Sequence, residues 1–234
     1  LVVGTITFTG FMIKMTSVLL TVSGDSLFIL FLLVVGVSYI MGMGLPIVTS
    51  YVLVATLAAP ALAESGVPPF AAHLACFWLS LSSTLSPPIC QAAYVAASIA
   101  KADMMRTGFE SVKLGKSIYY VPFLFLYSPI VTGSVGEMFF SSIAGWIALS
   151  VLILVFERYW MTRLTFWEGI ALVGNFVVST YAAVKSISSG WPYLLLSAGI
   201  LLVIAYMQRR RISLSQRLAL QSSSQESEYL TRRT

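Results

Sequence analysis

"MGMGLPIVTS", residues 41–50, lies in one of the most apolar stretches of the chain, yet its Gly42, Gly44 and Pro46 oppose the helix that such a stretch should form. Proline has no amide hydrogen and collides with the preceding turn, and glycine tolerates backbone angles that other residues avoid. A second interruption follows at "TLSPP", residues 84–88. The flanking apolar segments, 26–40, 45–62, 70–85 and 88–100, are short and are bounded by glycine or proline instead of by charge. The sequence therefore pairs them as 26–62 and 70–100, two units each broken in the middle.

Working outward, 58% of the residues are hydrophobic, 10% are charged, and the mean hydropathy is +0.88. That is more apolar surface than a soluble core can bury. Further apolar segments at 1–20, 117–133, 138–156, 165–184 and 192–207 approach the length a helix needs to cross a bilayer. No ten-residue apolar/polar alternation repeats, which argues against a membrane barrel. The expected fold class is an all-α polytopic membrane protein. The chain starts at Leu1 in apolar sequence with no basic leader or cleavage site, so it reads as the C-terminal piece of a longer protein. Cys76 and Cys90 lie in apolar segments without metal-ligand spacing and read as buried free thiols.

The net charge of +5 does not point to nucleic acid, because the basic residues are grouped between apolar segments and at the C-terminus. If the last four segments are full spans, one face receives 101–116, 157–163 and the tail, with 12 of the 14 Lys and Arg residues, and the other receives only Lys185. By the positive-inside rule the first face is cytoplasmic, and so is the C-terminus. With 70–100 as one broken crossing helix, the loop "AESGVPP", which lacks Lys and Arg, falls outside, and 26–62 becomes a re-entrant hairpin with "GMGLP" at its tip. The rival arrangement exchanges the two roles and places that loop in the cytoplasm.

A helix break at membrane depth frees backbone groups that only protein or a water-filled cavity can cover. The half-helix ends carry partial charge, and in secondary transporters such ends and free carbonyls bind an anionic substrate and a cation. Hydroxyls beside both breaks, Thr49 and Ser50 at one and Ser82, Ser83, Thr84 and Ser86 at the other, supply the neutral oxygens that a hard cation needs.

In family order, "GMGLP", "APAL", "GVPPFAAHL" and "SPP" resemble the C-terminal half of the large membrane subunit of tripartite ATP-independent periplasmic (TRAP) transporters, in particular the fused permeases that work with TAXI-class binding proteins. The resemblance covers about residues 1–130. It implies half of an inverted-repeat, elevator-type importer of organic acids in the bacterial inner membrane, with sodium as the coupling ion and no other cofactor. Residues 1–134 would be the second repeat, 135–207 additional C-terminal transmembrane helices, and 208–234 a polar, largely disordered cytoplasmic tail. The implied partners are a TAXI-type periplasmic solute-binding protein, the N-terminal remainder of the permease and membrane lipid. Alone, this portion should not transport. Carried over residue by residue, the sodium and substrate sites fall on Gly42, Gly44, Leu45, Pro46 and Thr49 at the hairpin tip and on Thr84, Ser86, Pro87 and Pro88 at the broken helix. Ser86 stands where the family usually has Thr. Cys90 and Gln91 replace residues that are usually small and apolar, which makes Gln91 a candidate substrate contact.

Other polar residues read as structural. His73, the only histidine, is assigned a capping or interfacial role, Glu64 and Asp25 are solvated loop acids, and Lys14 snorkels to water. Trp146, Trp160, Trp167 and Trp191 fit an interfacial belt. Ser80, His73 and Asp25 have no spacing that supports a hydrolase, and there is no nucleotide fingerprint, so no enzyme is expected. The alternative to a transporter is a channel or a non-transporting scaffold subunit, favoured if the two breaks prove to be continuous helices.

Overall fold

A computed structural model describes residues 4–5, 8–24, 26–160 and 162–231, with side chains through 213. Asp25 lies outside the described residues. The ordered elements are helical: α1 (Phe11–Ser23), α2 (Leu27–Gly42), α3 (Ile47–Glu64), α4 (Pro69–Leu85), α5 (Gln91–Ala100), α6 (Met104–Leu114), α7 (Lys116–Tyr127), α8 (Val135–Glu157), α9 (Phe166–Val184) and α10 (Ile187–Thr231). Four stretches, Ile47–Glu64, Val135–Glu157, Phe166–Val184 and Ile187–Ser213, are long and apolar enough to cross a membrane. The chain is a polytopic all-α membrane protein.

The helix starts follow local chemistry. The Ser26 hydroxyl accepts from the Ile29 amide, and the Asp103 carboxylate accepts from the Arg106 amide at 2.7 Å. Glu137 accepts from both the amide and the hydroxyl of Ser134 at 2.9 Å, and Glu168 accepts from the Thr165 amide at 2.8 Å.

The chain divides into two units, residues 1–143 with 183–187 and residues 144–182 with 188–234. In the first, α2 packs along α3, and both pack on α4. Their shared core holds Leu30, Phe31 and Val34 of α2, Val54, Ala58 and Leu62 of α3, and Ala72, Cys76 and Leu79 of α4. Alanines on the α3 and α4 faces let the backbones approach closely, the way helices associate where hydrophobic burial offers no advantage over lipid. By contrast, α5 packs mainly on α6. The second unit is built on Val151 of α8, Leu172 of α9 and Ile204 of α10.

Four expectations are corrected. The segment 117–133 is not a full span: α7 has 12 residues and reaches about 18 Å, because Ser128 ends it and Pro129 cannot continue it. Residues 101–116, read as a cytoplasmic loop, contain the capped helix α6. The tail is helical through Thr231, where α10 ends: the stretch is rich in Ser as well as in Arg, Gln and Leu, and the last three favour helix. The 1–20 segment is likewise interrupted at Gly10, where φ is +67°, and α1 starts only at Phe11. Cys76 and Cys90 are free and buried.

Candidate functional site at the paired helix breaks

Both interruptions are present. Helix α2 ends at Gly42, residues 43–46 form an irregular tip with Gly44 at φ +74°, and α3 begins behind Pro46. Helix α4 ends at Leu85, residues 86–90 are non-helical with a cis Pro87–Pro88 bond, and α5 begins at Gln91.

The two breaks meet at Gly42. A methyl group there would stand 2.4 Å from the Ser83 Oγ, 2.5 Å from the Ser83 Cβ and 2.9 Å from the Ser50 Oγ. Only a residue without a side chain lets the hairpin tip lie this close to the last turn of α4. Two helix C-termini are thus side by side, each with a negative dipole end, and neither carries a basic residue in its last turn. The start of α3 has no side-chain cap, so its first amides lack helical partners.

The hydroxyls of α4 are oriented by their own helix. Ser82 donates to the Leu79 carbonyl at 2.6 Å, Ser83 to Ser80 at 2.9 Å, Thr84 to Leu81 at 2.8 Å and Ser86 to Ser82 at 2.8 Å. A hydroxyl whose hydrogen is committed in this way keeps its lone pairs for another partner. Ser50 is fully buried, and its Oγ makes no hydrogen bond. A buried hydroxyl without a partner costs about 1–3 kcal/mol, and this one sits beside the Gly42–Ser83 contact.

Neighbouring helices fasten the second break. The Ser86 hydroxyl bonds the Tyr119 phenol from α7, and Ser111 of α6 donates to the Leu85 carbonyl, one of the orphan acceptors at the end of α4. Tyr94 donates to the Pro88 carbonyl at 2.6 Å. Gly108 lies over Cys90 and Pro87, where a methyl group would stand 2.6 Å from the Cys90 Sγ.

Of the residues nominated from sequence, Gly42 is at the junction and Ser86 is buried in the second break. Thr84 is half-buried in the last turn of α4, Thr49 and Leu45 are half-buried at the tip, and Pro46 precedes α3. Gly44 and Pro88 are exposed, while Pro87 is half-buried against Gly108. Gln91 is exposed in the first turn of α5. His73 does not cap α4, which starts behind Pro68 without a side-chain cap; its Nδ1 lies 3.3 Å from the Tyr51 hydroxyl. Sequence reasoning missed Tyr94, Tyr119, Gly108 and Ser111. The last two went with the unrecognised helix α6, which Asp103 followed by an apolar-periodic run does signal.

Residues 1–138, more than half of the chain, match the family described as tripartite ATP-independent periplasmic transporter, DctM component. The chain belongs to this family. It is thus one component of a TRAP transporter, a membrane permease that works with a periplasmic component. Neither the comparison with curated proteins nor that with solved structures found a match. Within this TRAP component, the family match contains both breaks and every residue that ties them together.

Proposed function

We propose that the chain is the permease component of a sodium-coupled, binding-protein-dependent secondary transporter that imports organic acids such as C4-dicarboxylates, 2-oxo acids or glutamate, fed by a TAXI-type binding protein. The observation that carries this reading is the junction at Gly42. Two negative helix ends adjoining without a basic residue repel one another, and a small cation between them relieves that repulsion. Neutral oxygens are at hand: the Ser83 hydroxyl, oriented by its own donation, and the partnerless Ser50 hydroxyl. These residues fit sodium, a hard cation held by oxygen. The uncapped start of α3 suits a substrate carboxylate. Cation binding would thus draw the tip onto α4 and present the α3 amides to the substrate, coupling the two.

The packing of α2 along α3, against the separation of α4 from α5, supports 26–62 as the re-entrant hairpin and 70–100 as the broken crossing helix. The test is uptake by the complete permease in liposomes with its binding protein. Labelled acid should accumulate under an inward sodium gradient. Equal accumulation without the gradient overturns sodium coupling, and no accumulation of any acid by folded protein overturns the transporter reading.

A further inference from the structure

The second unit contains a groove that the breaks do not explain. It is a cavity of about 560 Å³ between the end of α8, the turn after it and one face of α9, lined by Val155, Arg158, Phe166, Gly169, Ile170, Val173 and others. Residues 166, 169, 170 and 173 recur at helical spacing, so the groove runs along α9 for about 10 Å. Gly169 and Gly174 hold it open: a Cβ at either position would meet nothing within 4 Å.

One end of the groove is charged and the rest is apolar. Arg158 stands at that end, exposed and without an ion pair among the described residues. Its backbone is left-handed, with φ +53°, and the turn is closed by a 3.0 Å bond from the Leu164 amide to the Arg158 carbonyl. The same end of this unit carries Arg163 in the turn and Arg209 and Arg210 beside Arg211, which reaches Glu168 of the first turn of α9 at 3.0 Å. Exposed Tyr159, Phe166 and Trp167 mark this end as the level of the membrane–water interface.

We infer that the groove is a binding site for an anionic phospholipid, with the phosphate on the Arg158 guanidinium and an acyl chain lying along Phe166, Ile170 and Val173. Charge complementarity selects the occupant. A zwitterionic lipid offers the same chain without a net charge for the basic end, and one guanidinium near the surface favours an anionic headgroup by about fivefold.

The test is native mass spectrometry of the full chain in detergent with equal amounts of phosphatidylglycerol and phosphatidylcholine. Wild type should retain phosphatidylglycerol about fivefold over phosphatidylcholine. Arg158→Gly removes the guanidinium while easing the left-handed backbone, so the turn survives and the preference should fall to near one. Gly169→Leu fills the groove and should reduce retention of both lipids. Unchanged preference in Arg158→Gly overturns the inference. So does equal retention of both lipids by wild type, retention of glycerol phosphate without acyl chains, or a dimer of this chain that Gly169→Leu abolishes.

Discussion

The two breaks solve the same problem in opposite ways. At residues 86–90 the freed groups are answered by neighbours: Tyr119 on Ser86, Ser111 on the Leu85 carbonyl and Tyr94 on the Pro88 carbonyl. At residues 43–46 no side chain from another helix bonds the tip among the described hydrogen bonds. The tip touches α4 through the bare Gly42, next to a Ser50 hydroxyl with no partner. One break is fastened by three side-chain hydrogen bonds, and the other by none among the described residues. On the transporter reading proposed above, the fastened break would serve as the fixed wall and the unbonded tip as the movable part.

Replacing Gly42 by Val tests the comparison hardest. Its side chain collides with Ser83 and Ser50, and overpacking of this kind costs about 1–3 kcal/mol. Uptake by the complete permease should be lost and its melting temperature lowered. Next comes the fixed wall. Tyr119→Phe removes the tie to Ser86, worth about 1 kcal/mol; uptake should fall several-fold with little change in the sodium concentration for half-maximal rate, whereas a large rise in that concentration would place Tyr119 at the cation. Gly44→Ala adds a methyl group at φ +74°, where a side chain costs about 1–2 kcal/mol. Nothing lies within 4 Å, so the effect is purely conformational: thermal melting should show a small loss, and uptake should be reduced but not abolished. The smallest effect on transport belongs to Asp103→Ala, which removes the α6 cap for about 1 kcal/mol. It should lower the melting temperature slightly and leave the sodium dependence alone.

The sequence made the two breaks legible, because Gly42, Gly44 and Pro46 in one place and Pro87 and Pro88 in the other forbid a regular helix whatever surrounds them. Hydropathy likewise made α3, α8, α9 and α10 legible. It failed at α7, where an apolar stretch continues past the Ser128–Pro129 stop and looks longer than the helix is. Polarity hid α6, whose amphipathic face covers the second break with Gly108 and Ser111. The fastening itself was illegible: Tyr119 lies 33 residues from Ser86, and apolar segments contain many tyrosines, Tyr94 among them, that no local pattern marks as ties. Nor does any local pattern reveal that Gly42 meets Ser83, since that contact depends on how α2 packs on α4.

The central claim is that the junction of the two breaks holds sodium, and the most direct measurement is the melting temperature of the complete permease in sodium chloride against choline chloride, for wild type and Ser50→Ala. A ligand at free concentration L that binds only the folded state stabilises it by RT ln(1 + L/Kd), so a weaker site needs proportionally more ligand for the same shift. Wild type should be stabilised by sodium. Ser50→Ala, relieved of a partnerless buried hydroxyl, should melt as high or higher in choline yet require about tenfold more sodium for the same shift. An identical sodium response in both proteins, or none in wild type, would contradict the account.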